Sequence, residues 1–285
     1  MSTGLVMEGG AMRGMFTAGV IDVMMENDIV FDGAVGVSAG AAFGCNIKSR
    51  QIGRAIRYNK KYCKNKDYVS LRSWIKTGDL YGVDFGYRRI PYELDPFDVT
   101  AYKENPMDFY VVATDMDTGE AVYYNCLNGD DIDLKWIGAS ASIPIASRPV
   151  VIDGRRLSDG GTSDSIPLIF MEGRGYDRNV VILTQPPEYR KTQMKHFKTV
   201  KFMLRKYPKL IEALERRPEM YNGEVAYVHN QEKRGKAFVI QPGESLNIGS
   251  VCHEPAELER VYQIGRKTME NRLKELKAWM QHDNV

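Results

Sequence analysis

The chain has 285 residues, a formal net charge of +2, and 43% hydrophobic against 27% charged residues, the proportions of a globular protein long enough to bury a sizeable core. No apolar run approaches the roughly 20 residues that span a bilayer; a charge this close to neutral argues neither for nor against nucleic acid, and no nucleic-acid partner is expected. The cysteines, Cys45, Cys63, Cys126 and Cys252, are scattered without a Cys-x-x-Cys pair or a histidine at ligand spacing, which reads as reduced structural thiols and predicts no metal and no cofactor.

Leu5-Val6-Met7 predicts a first strand, and its position leaves no room for a charged and then hydrophobic leader. A cytoplasmic location is therefore expected, with peripheral contact at the inner membrane surface as an addition to it. Glu8-Gly9-Gly10-Ala11-Met12-Arg13-Gly14 follows. A glycine-rich loop between a strand and a helix start points several backbone N–H groups at one spot, where the helix dipole adds positive potential. Such a nest suits a phosphate or a transition-state oxyanion. Phe16, Val20, Val23 and Met24 then share one face of a helix predicted over 14–27.

Ala34–Val37 reads as a second strand running into Gly36-Val37-Ser38-Ala39-Gly40 and an Ala-rich helix. Strand, sharp turn and helix is the context in which a Gly-x-Ser-x-Gly serine is lifted above a sheet edge as a nucleophile. Residues 51–66 look helical and basic. Residues 67–97 mix Trp, Tyr, Gly and Pro without a period, as either a substrate-covering segment or a surface connection. Phe109–Thr114 and Glu120–Tyr124 predict a hairpin, and Ile132–Ser140 a short helix. The acidic clusters Asp115/Asp117 and Asp130/Asp131/Asp133 look like turn and helix-start residues. Pro149–Ile152 and Arg156–Ser158 predict a second hairpin leading into Asp159-Gly160-Gly161, where a carboxylate returns to the sheet edge. Ile166–Met171 reads as a helix and Val180–Thr184 as a fully apolar strand.

Beyond that strand, helical spacing from Phe197 to Leu214 is broken or kinked at Pro208, Phe238–Gln241 reads as a strand, and Leu258 to Met280 as a long closing helix. Between Arg190 and Arg217, ten Lys/Arg face only Glu212 and Glu215. Contact with anionic head groups would gain about 1 kcal/mol per basic residue. A solvated helical face is the other reading, favoured by the regular apolar stripe and the lack of a Trp-rich wedge. Apolar strands alternating with helices predict an α/β fold, a mostly parallel central sheet with helices on both faces and a helical C-terminal region. No linker or repeat interrupts it, so a single domain over 1–285 is expected, with a core of about 4–190 and an extension of about 191–285.

The glycine-rich opening, the serine elbow, Thr114-Asp115-Met116-Asp117-Thr118-Gly119, Ala139-Ser140-Ala141-Ser142-Ile143-Pro144 and Asp159-Gly160-Gly161 occur in the order found in the patatin-like phospholipase family, which the chain resembles from about Gly4 to Thr184. Two departures stand out. Glu8 replaces the usual Asp, and Ala11 replaces the third glycine, where alanine is acceptable if its φ is negative. The resemblance implies a serine lipid acyl hydrolase acting on phospholipid, lysophospholipid or other acyl esters, with Ser38 as nucleophile and Asp159 as base. Gly9, Gly10, Ala11 and Arg13 would form its oxyanion hole, and a generic carboxylesterase or lipid acyltransferase would use the same groups. All four histidines, His196, His229, His253 and His282, lie late in the chain, and His253 is the best placed for a Ser–Asp–His alternative. Ser140 and Ser142 lack flanking glycines and look like pocket-shaping residues. A nucleotide-binding module is the competing class, but the loop lacks the middle glycine of Gly-x-Gly-x-x-Gly and no Lys-Ser/Thr follows.

Overall fold

Leu5 and Met7 point to one face of the first strand and Val6 to the other, and each face meets its own layer of helices. A computed structural model describes residues 2–68, 82 and 84–281. In chain order its elements are β1 (Thr3–Met7), α1 (Gly14–Glu26), β2 (Gly33–Val37), α2 (Ala39–Lys48), α3 (Arg54–Tyr62), a π-helical stretch (Phe85–Leu94) and α4 (Val99–Glu104). Then come β3 (Asp108–Asp115), β4 (Ala121–Asn125), α5 (Asp131–Ser140), β5 (Val150–Ile152), β6 (Arg155–Asp159), α6 (Leu168–Gly173) and β7 (Arg178–Ile182). The chain closes with α7 (Phe197–Met203), α8 (Pro208–Lys233), β8 (Ala237–Ile240) and α9 (Pro255–Gln281).

The eight strands form one sheet, in which β3, β2, β1, β7 and β8 are parallel neighbours. β4, β5 and β6 join antiparallel beside β3. This is the mostly parallel α/β sheet expected, carrying antiparallel strands at one side. β3 has three partners, and their registers position the site. Val112 faces Val37 of β2 and Tyr123 of β4, so those strands occupy opposite edges. Ala113 faces Val122 of β4 and Asp159 of β6, so β6 takes over the edge that β2 leaves. Ser38 follows Val37, and Asp159 ends β6. Both therefore lie where one strand's edge is handed to the next.

One face of the sheet packs on α1, α2, α3, α5 and α9 through Leu5, Met7, Phe109, Val111 and Ile182. The other packs on α6 and α8 through Val6, Val35, Val112 and Val181. α1 and α9 cross at backbone contact: a Cβ on Gly19 would stand 2.1 Å from the Tyr262 carbonyl oxygen, and one on Gly265 2.1 Å from that of Phe16. The C-terminal region therefore supplies a strand of the sheet and helices on both faces.

The main difference from sequence expectation lies in α8. The helical run breaks at Pro208 as expected, α7 ending at Met203 and Pro208 opening α8, where its missing N–H has no intrahelical acceptor. The helix continues through Pro218 to Lys233, beyond the regular stripe that ends at Leu214. The expected covering segment over 67–97 is described only in part, and residues 69–81 and 83 lie outside the described residues.

Candidate active site

The turn between β2 and α2 is tight because two glycines let backbones touch. A Cβ on Gly36 would lie 2.5 Å from the Gly40 carbonyl oxygen, and one on Gly40 2.3 Å from that of Met7. Ser38 sits between them at φ 53°, ψ −117°, a conformation that L-residues hold only when the surrounding structure imposes it. That structure includes Ser140, whose Oγ accepts the Ser38 N–H at 2.9 Å.

Asp159 is held from several sides. Its N–H donates to the Ser142 carbonyl at 2.8 Å, and its carbonyl accepts the Thr114 hydroxyl at 2.8 Å. Its Oδ1 accepts the Gly161 N–H at 2.8 Å. Ser38 and Asp159 line the same compartment. Burial pushes Asp159 above the usual carboxylate range, while the Ser38 hydroxyl, the Arg217 guanidinium, the Gly161 N–H and Lys191 draw it back.

The loop after β1 passes beside this pair, with Gly10 and Ala11 leading into a single 3-10 turn. Among the described residues, no protein acceptor takes the N–H of Gly9, Gly10 or Ala11. Ala11 adopts φ +47°, which corrects the expectation that alanine fits here by keeping φ negative. The third-glycine position does require the left-handed region, so alanine occupies it under strain. Glu8 is almost fully buried and accepts the Thr184 N–H at 2.6 Å and the Tyr221 hydroxyl at 2.9 Å. Burial raises its pKa, opposed by those two donors, Arg13 and Lys191. The longer Glu thus ties the loop to the end of β7 and to α8.

Two compartments meet at Ser38. One is apolar, roofed by α2, α3, α5 and the π-helical stretch through Phe43, Tyr58, Ile90, Leu134 and Ile137, with Phe97 from the connection before α4. The other is polar, and Glu8, Arg13, Asp159, Lys191, Arg217 and Tyr221 line it. Ser38, Ala11 and Ile143 line both. The sequence had no marker for Lys191, Arg217 or Tyr221 as site residues. Of the ten basic residues from Arg190 to Arg217, only Lys191, Lys201 and Arg217 are half-buried; the other seven are exposed, as on a solvated face.

The described histidines line neither compartment. His253 Nδ1 lies 2.6 Å from the Cys63 carbonyl, His229 pairs with Glu232, and His196 precedes α7; His282 lies outside the described residues. Ser142 lines the apolar compartment, with its hydroxyl donating to the Gly138 carbonyl. Asp115 accepts N–H groups in its own turn, and Asp130 caps α5. Among the described residues, no group of three His, Cys, Asp or Glu is arranged to hold a metal. No helix among them is long and apolar enough to cross a membrane.

Comparison with known proteins agrees with the fold. A family model described as Patatin-like phospholipase matches residues 5–171, more than half of the chain. The chain belongs to the patatin-like phospholipase family. A second model, a domain of unknown function (DUF6363), matches residues 207–281. The uncharacterized protein YjjU of Escherichia coli K12 is 28% identical, over 92% of this chain and 74% of its own length. Lysophospholipase nte1 of Aspergillus niger is 24% identical over 62% of this chain, but that alignment takes in only 11% of the relative. Among solved structures, VipD from Legionella pneumophila superposes with a TM-score of 0.50 at 13% identity, covering 96% of this chain and 67% of that one. This last likeness concerns the fold alone.

Proposed function

We propose that this protein is a serine lipid acyl hydrolase that cleaves carboxylic esters of the phospholipid or lysophospholipid type with a Ser38–Asp159 dyad. Ser38 Oγ attacks the ester carbonyl while Asp159 takes its proton. The oxyanion of the tetrahedral intermediate is held by the N–H groups of Gly10 and Ala11, with Gly9 allowing close approach and Arg13 adding positive charge. One such donor contributes about 3 kcal/mol to the transition state. Collapse expels the alcohol, which takes the proton back from Asp159. Water then attacks the acyl-enzyme, again giving up a proton to Asp159, and fatty acid leaves as Ser38 is restored.

The observation that carries this proposal is that Ser38 and the buried Asp159 line one compartment, beside N–H groups with no protein acceptor among the described residues. The apolar compartment at Ser38 supports an acyl chain as the carbonyl's substituent, and the family supports a lipid as the source of the ester. One domain over 1–285 is part of the same proposal, supported by the shared core of α1 and α9.

The test is covalent labelling by a fluorophosphonate, followed by hydrolysis of p-nitrophenyl esters of increasing chain length and of lysophosphatidylcholine. The label is expected on Ser38, and Ser38→Ala and Asp159→Asn are each expected to reduce kcat by about a thousandfold or more. Full activity in Asp159→Asn would end the dyad proposal, and loss of activity in His253→Ala would put a histidine in its place.

A further inference from the structure

The apolar stripe of α7 leaves two side chains out. Phe197, Val200 and Leu204 pack with Met116, Leu210 and Leu214. Phe202 stands two positions after Val200, and at about 100° per residue that puts it on the opposite side of the helix. It is 68% exposed, the most exposed large hydrophobic side chain among the described residues, and its neighbour Met203 is 48% exposed. A single exposed apolar side chain is ordinary, but an apolar pair ringed by charge marks an interaction surface.

The charge around this pair is of one sign. No Asp or Glu occurs between Glu188 and Glu212, while eight Lys or Arg do. Glu215 pairs with Lys201 and Glu212 with Lys209. Lys195, Lys198, Arg205 and Lys206 are exposed and form no ion pair among the described residues. The Arg205 guanidinium stands 4.8 Å from the centre of the Phe202 ring, so cation and apolar wedge share one spot. Such a composition suits an element lying in a bilayer interface, with apolar side chains among the acyl chains and cations at the head groups. A nucleic acid would use the cations alone and leave Phe202 and Met203 in water. The helix also has a fixed relation to the cleft. Met194, before it, and Val200, on its inward side, line the polar compartment with Ser38 and Asp159. A surface seated on Phe202 is thus about one helix diameter, roughly 10 Å, from that compartment. The whole of α7 lies outside residues 5–171 and 207–281, so neither matched segment contains this surface.

We propose that α7 is a docking helix for anionic bilayer surfaces, inserting Phe202 and Met203 among the lipids while Lys195, Lys198, Arg205 and Lys206 meet the anionic head groups. Docking is a binding event that needs no turnover, so it stands apart from the acyl-hydrolase proposal.

The experiment uses full-length Ser38→Ala protein, so that no lipid is turned over, in co-sedimentation with phosphatidylcholine vesicles and with vesicles containing about a third phosphatidylglycerol. Binding is expected to be about tenfold tighter or more on the anionic vesicles and to weaken as salt rises. Phe202→Ser combined with Met203→Ser, and separately Lys198→Glu combined with Arg205→Glu, are each expected to weaken it about tenfold. Thermal unfolding checks that both variants fold. In Phe202→Trp, indole fluorescence should move to the blue on the anionic vesicles alone. Equal or absent binding to the two kinds of vesicle would overturn the docking helix, as would full binding by the Phe202→Ser, Met203→Ser variant. Duplex DNA bound as tightly as the anionic vesicles would overturn the assignment to a bilayer. Tight docking by a wild-type protein that takes no fluorophosphonate label would sink the hydrolase proposal and leave the docking helix standing.

Discussion

Ala11 and Ser38 hold φ of +47° and +53° side by side in the cleft, and the two strains have different origins. At Ser38 the side chain is the proposed nucleophile, a role no other residue there would serve. At Ala11 the side chain is a methyl group, and the left-handed backbone costs about 1–2 kcal/mol that glycine avoids. Glycine also raises the entropy of the unfolded chain, which offsets part of the gain. Ala11→Gly is therefore expected to stabilise the protein by about 0.5–1 kcal/mol in urea unfolding, and a loss of stability would show that the loop is held by contacts of the methyl. Arg217 acts on charge. It lowers the pKa of Asp159, which burial raises, and as the proposed base Asp159 must be ionised. In Arg217→Gln the folded pKa rises, so the acidic limb of kcat/KM should move to higher pH. An unmoved limb would separate Arg217 electrostatically from Asp159. Arg216 and Arg217 show how little of this is visible locally, since both are basic residues of α8, yet only Arg217 reaches the cleft.

Among the helices, two glycines of similar local setting are expected to behave in opposite ways. Gly223 in α8 has nothing within 4 Å of an added Cβ, whereas Gly265 in α9 would drive one to 2.1 Å from the Phe16 carbonyl oxygen. Gly223→Ala is expected to stabilise by about 0.5–1 kcal/mol, the ordinary helix-propensity gain. Gly265→Ala should instead destabilise by about 1–3 kcal/mol through overpacking at the crossing. Thermal unfolding of both variants checks the pair, and a stabilised Gly265→Ala would mean that α1 and α9 are not in backbone contact. Most elements were legible from periodicity, including the serine turn, both hairpins and β8. The second half of α8 was not, because the regular apolar stripe ends at Leu214 and Pro218 stands inside the helix.

Across the whole molecule, Asp22 joins three parts of the chain. It lies on α1, is almost fully buried, and accepts the Tyr262 hydroxyl of α9 at 2.8 Å and the Gly53 N–H before α3 at 3.0 Å. Burial pushes its pKa from 3.8 up to about 6, against those two hydrogen bonds and Arg266. With the folded pKa above the unfolded one, the native state binds the extra proton between them, so this contribution to stability falls as pH rises through about 4 to 6. Asp22→Asn keeps an oxygen for both donors and removes the buried charge. It is expected to flatten that slope and raise stability at pH 7 by on the order of 2 kcal/mol, measured by denaturant unfolding at pH 4.5 and 7. An unchanged slope would remove Asp22 from the pH dependence.

The sequence by itself determined the order of motifs, the strand–turn–helix around Ser38 and the two-sided α/β architecture, because these follow from residue periodicity and turn chemistry within short windows. Only the tertiary structure decided that β6 takes over the β3 edge where β2 ends, bringing Asp159 to Ser38 across 121 positions of chain. It alone turned Lys191 and Arg217 inward from a run of otherwise solvated charges. Strand register and the facing of a long side chain depend on partners far away in sequence, and no local pattern encodes them.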